Sequence, residues 1–77
     1  ISVRRRVAAW LLHRMRVSRC PVINDGITRE VLAGLLGLSR ESLCRQLSVF
    51  ADEGLVRLDK KAIIIENEKA LRRILDS

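Results

Sequence analysis

The sequence predicts a small α+β domain in which helices come first and a β-hairpin follows them. Apolar residues recur at helical spacing up to residue 51, a glycine separates two of the helical patterns, and a β-branched run stands near the C-terminus. With 77 residues, 48% of them hydrophobic, the chain has room for one domain and is too apolar for a disordered tail. We therefore expect residues 1–77 to form a single folded domain.

The first predicted helix covers Val3 to about Met15, where apolar residues recur at steps of three and four. The pattern is already under way at Ile1, without a capping residue, so we expect the helix to begin at or before residue 1. Such a start is typical of a segment from the C-terminal part of a longer protein. Residues 16–26 carry turn-forming residues around the apolar step Val22-Ile23, which predicts a loop or a weak edge strand.

Two further helices are predicted to meet at a tight turn. Thr28 is placed to cap the first of them with its hydroxyl oxygen, and Glu30 lies in the positive first turn. The predicted buried face of this helix consists of Val31, Leu32, Leu35 and Leu36. Gly37 can adopt the left-handed conformation that ends a helix, and Ser39 can cap the next one.

The third helix is predicted over about residues 40–51, with one apolar and one polar face. The residues expected to be buried are Leu43, Leu47, Phe50 and Ala51. The opposite face carries Arg40, Glu41, Cys44, Arg45 and Ser48. This polar face is rich in hydrogen-bonding groups.

A hairpin and a last helix complete the prediction. Gly54 is the expected left-handed residue after the third helix, and Leu55–Leu58 is strand-like. The β-branched run 62–65 should pair with it around the polar turn Asp59-Lys60-Lys61. Asn67 is placed to cap a helix whose apolar side consists of Ala70, Leu71, Ile74 and Leu75. The predicted architecture is a small, helix-rich winged helix, in which a helix-turn-helix precedes a β-hairpin wing.

The charge balance favours a polyanionic partner. Fifteen Lys and Arg against nine Asp and Glu give a formal net charge of +6, which attracts phosphate-rich molecules. A basic surface that only keeps the domain soluble would have the same balance. The positions of the charges must therefore decide between the two.

Several classes of function are not expected. Cys20, Cys44 and the single histidine, His13, lack the spacing of metal ligands, and the two cysteines are expected to be free thiols. No nucleophile, base and metal ligand converge, so an enzyme is not expected, and the aromatic platforms of single-stranded RNA binding are missing. The apolar run 7–12 is far shorter than the roughly 20 residues of a membrane span. We expect a cytoplasmic protein without membrane contact.

Ala33, Gly37 and Leu43 occupy the positions that a helix-turn-helix requires: a small residue at the crossing, a glycine in the turn and an inward apolar residue. In such a motif the N-terminal residues of the second helix meet base edges in the major groove. The candidates for base reading are Arg40, Glu41, Cys44 and Arg45. Arginine can bond guanine O6 and N7, and a carboxylate can accept from cytosine N4. The alternative is a solvated face on which Glu41 pairs with Arg45, a contribution of about 0.2–0.5 kcal/mol.

The segment ITREVLAGLLGLSRESLCR, residues 27–45, resembles the helix-turn-helix signature of bacterial Crp/Fnr transcription regulators, and the similarity continues through residues 50–66. The resemblance implies sequence-specific binding of double-stranded DNA. The Crp-type pattern of arginine, glutamate, three residues and arginine corresponds to Arg40, Glu41 and Arg45, which implies a TGTGA-like half-site. Fnr-type proteins typically have valine in place of Arg40 and serine in place of Cys44, so the chain is more similar to the Crp side.

The resemblance also implies which residues bind phosphate. The candidates are Thr28, Arg29, Ser39 and Ser42, whose contacts would position the protein without reading sequence. Lys60 and Lys61 at the predicted wing tip would touch the DNA backbone or neighbouring minor groove, or form an ordinary charged turn.

Two positions depart from the family pattern, and the arginines of residues 4–6 have two interpretations. Gln46 replaces an aliphatic core residue, and Cys44 replaces a small glycine or serine. Cys44 is interpreted as a passive small residue, with contact to a thymine methyl or redox sensitivity as alternatives. The arginines of residues 4–6 either reach phosphate or have a solvated or interdomain role, which is favoured because the family fold turns this helix away from DNA.

Finally, the resemblance implies a longer regulator with an N-terminal sensor domain that binds a cyclic nucleotide or another effector, and no cofactor in the present domain. It implies a homodimer joined by a long helix whose end would continue at residue 1, with RNA polymerase as a candidate partner. The alternative function is a winged-helix interaction module that docks an acidic partner through its hairpin and arginine faces.

Overall fold

The computed structural model describes residues 2–76. These residues form four helices and a three-stranded sheet. The elements in chain order are α1 (Val3–Ser18), β1 (Val22–Ile23), α2 (Arg29–Leu36), α3 (Arg40–Asp52), β2 (Val56–Asp59), β3 (Ala62–Ile65) and α4 (Glu68–Asp76). The predicted α+β winged helix is confirmed, and the weak edge strand at residues 22–23 is present.

The sheet is antiparallel in the order β1-β3-β2. The β2–β3 hairpin has a turn, the wing tip, at one end and leads into α4 at the other. At the wing tip Asp59 is paired with Ala62, and Lys60 has a φ of 56°, the positive value that the common two-residue hairpin turns require at their first position. At the other end the Ile65 N–H donates to the Pro21 carbonyl at 2.8 Å. The wing tip and α4 therefore lie at opposite ends of the hairpin.

Helix α1 begins later and ends later than its apolar pattern predicts. Ser2 has extended backbone, and its hydroxyl oxygen accepts from the Arg5 N–H at 3.1 Å, so the helix begins at Val3 and not at or before residue 1. Ile1 itself lies outside the described residues. The expectation of a dimerisation helix running on through residue 1 is wrong for α1, because the serine cap, which the prediction overlooked, starts a new helix. The helix continues to Ser18, where Arg19 in the left-handed conformation ends it.

One core joins the helices to the sheet. Its fully or almost fully buried side chains are Val7, Ala8, Leu11, Leu12, Ile23, Leu32, Ala33, Leu43, Leu47, Phe50, Leu55, Val56, Ile63, Ile65, Leu71 and Ile74. In α3 the predicted burial of Leu43, Leu47 and Phe50 is confirmed, whereas Ala51 is half-buried. The core therefore holds α3 by three side chains on one face.

The predicted buried face of α2 is wrong at two positions. Val31 is 55% exposed and Leu35 is 65% exposed, whereas Leu32 and Ala33 are buried and Leu36 is half-buried. Apolar residues occupy more of this short helix than one face, so their spacing alone left its rotation open. Packing against α3 selects the side that carries the small Ala33.

Two arginines at the start of α1 bind the C-terminal ends of other helices. Arg6 Nη1 donates to the Leu36 carbonyl of α2 at 3.1 Å, and Arg5 Nη2 donates to the Leu75 carbonyl of α4 at 2.9 Å. A cation at a helix C-terminus satisfies carbonyls that lack an intrahelical partner and interacts favourably with the helix dipole. This pair therefore joins helices within the domain, a role that the sequence analysis did not predict, and the choice between phosphate contact and a solvated or interdomain role stays a prediction.

Arg4 makes a third contact of this kind, with α3. Its Nη2 lies 2.9 Å from Oε1 of Glu53, the residue that caps α3, and its guanidinium carbon lies 5.2 Å from the centre of the Phe50 ring. A cation over an aromatic face at this distance is attracted by the ring quadrupole. Arg4 therefore also belongs to the scaffold.

Gly37→Ala should lower the free energy of unfolding by about 1–2 kcal/mol, the cost of a left-handed L-residue, because Gly37 ends α2 with a φ of +70°. Gly34→Ala is the matched control, since this glycine lies inside α2 and an added Cβ would have no neighbour within 4 Å. The control should be stabilising by about 1 kcal/mol. Urea unfolding followed by circular dichroism measures both, and equal effects of the two substitutions would contradict this account of the turn.

Candidate nucleic-acid interface

The predicted base-reading residues lie on the solvent face of α3. Burial of its three core residues turns Arg40, Glu41, Arg45 and Ser48 outward, and Cys44 is half-buried beside them. The Glu41 side chain is 90% exposed and the Arg45 side chain 74% exposed. The leading edge of the helix is therefore covered neither by the hairpin nor by the core.

Glu41 and Arg45 form a loose ion pair on this face. Arg45 Nη2 lies 3.9 Å from Glu41 Oε2, four residues apart on the helix. Exposed helical pairs of this type contribute only about 0.2–0.5 kcal/mol. The pairing expected of an ordinary solvated face is present, and it is weak enough for either group to exchange its partner for a base edge.

Serine and threonine caps fix the N-terminal ends of α2 and α3. Thr28 Oγ1 accepts from the Val31 N–H at 3.1 Å, and Ser39 Oγ accepts from the Ser42 N–H at 3.1 Å. The Ser39 hydroxyl also donates to Ser42 Oγ at 3.0 Å. Both predicted caps are confirmed. The remaining first-turn amides and the helix dipole make each of these ends attractive to anions.

The N-terminus of α2, the first residue of α3 and the wing tip line one open groove. Its lining residues are Ile27, Thr28, Arg29, Glu30, Arg40, Lys60 and Lys61. Four of the predicted phosphate-binding residues thus stand beside one predicted base-reading residue, and four cations face a single carboxylate. Arg29 Nη1 donates to the Lys61 carbonyl at 3.5 Å, a contact that links α2 to the wing. Sequence reasoning did not place Glu30 in this groove.

Ser42 lies apart from that groove. It lines a smaller hollow with Val3, Arg45, Gln46 and Val49, between α3 and the start of α1. Gln46 is half-buried there, and within residues 2–76 its buried Nε2 has no hydrogen-bond partner. The glutamine that departs from the family pattern therefore sits at the edge of the core.

Asp25, one of the turn-forming residues predicted in the segment 16–26, holds the loop before α2, and sequence reasoning missed its partner Arg14. Asp25 Oδ1 accepts from the Ile27 N–H at 3.2 Å, and Asp25 Oδ2 lies 2.7 Å from Arg14 Nη2 of α1. An aspartate two residues before the bonded amide is a turn signal that the sequence does contain. The participation of Arg14 has no such signal, because α1 and the loop meet only in the folded chain.

The remaining cysteines and acids do not assemble into a metal site. Cys20 is exposed and Cys44 half-buried, and each is a free thiol. In the part of the chain that the structure describes, no three His, Cys, Asp or Glu side chains come together to hold a metal ion. Among residues 2–76 no helix has the length and apolar character needed to cross a membrane.

A family model described as the Crp-like helix-turn-helix domain matches residues 5–74. The chain belongs to this family. The Crp-like domain is 35% identical over 51 residues to the CRP-like cAMP-activated global transcriptional regulator of Mycobacterium tuberculosis, and the alignment covers 66% of this chain and 23% of that protein. The resemblance that residues 27–45 carry is confirmed.

Solved structures agree with this assignment. The Crp-like domain superposes on a Crp/Fnr-family transcriptional regulator from Eubacterium rectale with a TM-score of 0.90 and 36% identity, over 99% of this chain and 34% of that one. Catabolite Activator Protein of Thermus thermophilus gives a TM-score of 0.82 and 36% identity, over 95% and 33%. The Crp-like domain thus spans about a third or less of these relatives. It is a DNA-binding domain of the Crp/Fnr transcription regulators, and these relatives are described as transcriptional regulators.

Ser39→Ala should lower the free energy of unfolding of the Crp-like domain by about 1 kcal/mol, because the Ser42 N–H loses its acceptor. Ser39→Asp keeps a capping oxygen but places a carboxylate at the helix end that is predicted to bind phosphate. It should leave stability close to that of the wild type and weaken duplex binding. Urea unfolding and fluorescence anisotropy with a labelled duplex measure the two effects, and unchanged duplex affinity in Ser39→Asp would count against a phosphate contact at this position.

Proposed function

We propose that the domain binds double-stranded DNA sequence-specifically to regulate transcription, with the N-terminal half of α3 in the major groove of a TGTGA-like half-site. The observation that carries the proposal is the shared groove, in which Arg40 stands beside Thr28, Arg29 and the wing-tip lysines. A protein that reads bases must hold the phosphate backbone at the same time, since backbone contacts fix its register on the duplex.

The base-reading roles follow from the chemistry of the exposed edge of α3. The guanidinium groups of Arg40 and Arg45 suit the O6 and N7 acceptors of the two guanines in TGTGA, and the Glu41 carboxylate suits a cytosine N4 on the complementary strand. Cys44 lies between them, half-buried and small enough to contact a thymine methyl. Each good bidentate contact discriminates against the wrong base by about 1–3 kcal/mol.

The phosphate-binding roles are divided between the two sides of α3. On one side Thr28, Arg29 and the wing-tip lysines, Lys60 and Lys61, would hold one backbone segment. On the other side Ser39 and Ser42 would hold another, because Ser42 faces the hollow between α3 and α1. Contacts from both sides would seat the helix in the groove.

We further propose that the domain works as the C-terminal module of a longer, homodimeric, cytoplasmic regulator that is not an enzyme. In this proposal an N-terminal sensor domain binds a cyclic nucleotide or another effector, and RNA polymerase is a partner. The proposal is supported by the description of the Mycobacterium tuberculosis relative as cAMP-activated and by the 23% of that protein that the alignment covers. A dimer would read two half-sites about one helical turn apart, so a single domain should bind weakly.

Arg45→Ala should weaken binding to a TGTGA half-site duplex by about 1–3 kcal/mol and relax the preference at one guanine. Lys60→Ala should weaken binding to all duplexes alike and lower the slope of log affinity against log salt by about 1. Fluorescence anisotropy titrations at several salt concentrations, with single-base half-site variants, separate the two outcomes.

Lys69→Ala is the matched control, because it removes the same charge from an exposed position on α4, outside the groove. It should leave half-site preference unchanged. Equal losses on every duplex for Arg45→Ala and Lys60→Ala would contradict the base-reading assignment. Absence of salt-sensitive duplex binding, together with capture of an acidic protein, would favour the interaction-module alternative.

A further inference from the structure

The loop that leads into α2 is held by one carboxylate with two partners. Arg14 Nη2 of α1 lies 2.7 Å from Asp25 Oδ2, and the Ile27 N–H donates to Asp25 Oδ1 at 3.2 Å. Both oxygens of Asp25 are therefore engaged, one by a neighbouring helix and one by the residue that precedes the Thr28 cap.

Arg14 lies beside Trp10 and is half-buried. Its guanidinium carbon lies 6.0 Å from the centre of the Trp10 ring, one turn earlier on α1, and within residues 2–76 its buried Nε has no hydrogen-bond partner. The Arg14 and Asp25 side chains are 33% and 21% exposed, which makes them the least exposed of the ion pairs found in residues 2–76. Exposed pairs contribute little, whereas loss of one partner from a more buried pair leaves a charge without compensation.

The chain passes from this anchor directly into the groove. Gly26, with a φ of 80°, makes the turn, and Ile27, Thr28 and Arg29 then line the groove in sequence. The direction in which Thr28 and Arg29 leave the loop is therefore set by the amide that Asp25 holds.

We propose that Arg14 and Asp25 are positioning residues for phosphate binding, which aim the Thr28 hydroxyl and the Arg29 guanidinium at the DNA backbone. The inference rests on the duplex binding proposed above. The proposed role also explains why the Asp25 carboxylate lies near a basic groove. Its charge repels phosphate, so electrostatics alone would disfavour a carboxylate at this place.

One substitution distinguishes an effect of net charge from an effect of loop position, because the two would change DNA affinity in opposite directions. Asp25→Ala removes a negative charge together with both anchoring oxygens, so electrostatics alone should tighten DNA binding, whereas loss of the anchor should weaken it. Arg14→Met should weaken binding on either account. Arg14→Lys keeps the charge and one donor, so its affinity should lie between those of Arg14→Met and the wild type.

Glu66→Ala is the matched control for Asp25→Ala. Glu66 forms an ion pair with Arg57 at 3.0 Å, at the end of the hairpin away from the wing tip, so its substitution makes the same charge change without touching the loop. It should bind DNA at least as tightly as the wild type.

The experiment titrates the 77-residue chain against a labelled TGTGA half-site duplex and an unrelated duplex at several salt concentrations. Loss of one aimed phosphate contact should lower the salt slope by about 0.9, which corresponds to about eightfold weaker binding at 0.1 M salt. Asp25→Ala and Arg14→Met should show this loss on both duplexes, with the ratio of the two affinities unchanged.

Amide hydrogen exchange supplies a second measurement that does not depend on DNA. In both variants the amides of Ile27 and Val31, which are bonded to Asp25 and Thr28, should exchange at least about tenfold faster, while core amides such as those of Leu11 and Leu47 stay protected, which shows that the domain is still folded. Wild-type affinity, salt slope and exchange in Asp25→Ala would overturn the inference and leave the proposed function standing. Failure of the wild type to bind either duplex in a salt-sensitive way would overturn both.

Discussion

Burial of Leu43, Leu47 and Phe50 fixes the rotation of α3, and the whole interface depends on that rotation. These three side chains are at most 1% exposed, and they anchor the helix to a core that also holds α1 and β2. A rotation by one residue, about 100° for a helix of 3.6 residues per turn, would bring Ser48 or Gln46 into the core in place of Leu47 and bury its polar group without a partner, at a cost of about 1–3 kcal/mol. The polar edge of Arg40, Glu41 and Arg45 is therefore presented to solvent because the opposite face cannot leave the core.

The helix ends divide into two groups with different partners. The C-terminal ends of α2, α3 and α4 are contacted by three consecutive arginines of α1, through two backbone carbonyls and the Glu53 carboxylate. The N-terminal ends of α2 and α3 carry a threonine or serine cap and one first-turn glutamate each, Glu30 and Glu41. Part of the positive charge that first suggests a polyanion partner is thus engaged within the domain. The cations that face the groove come instead from α2, α3 and the wing.

Local signals predicted most of this fold correctly. The caps at Thr28, Ser39 and Asn67 and the left-handed glycines at residues 37 and 54 depend on a few neighbouring residues, so a linear sequence contains them in full. Errors and omissions arose where a third element makes the choice. The exposure of Val31 and Leu35 depends on how α2 packs against α3, and the roles of the α1 arginines depend on which helix ends lie nearby. The early cap at Ser2 was present in the sequence and was overlooked.

The sequence predicted which residues belong to the candidate site, but it did not predict how the fold arranges them. Resemblance supplied the residue types, but the groove joins residues from separate parts of the chain, and only the fold brings Arg29 against the wing. That contact has a consequence for binding, because the Arg29 guanidinium donates to the Lys61 carbonyl at 3.5 Å, a long bond that a charged phosphate oxygen would outcompete. In the proposed complex, a phosphate that binds Arg29 would release the wing tip from α2, and the same phosphate-rich surface would bind the two wing-tip lysines. Arg29 is thus held by a single long bond to a carbonyl of the protein, whereas the edge of α3 proposed to read bases is fixed by the core.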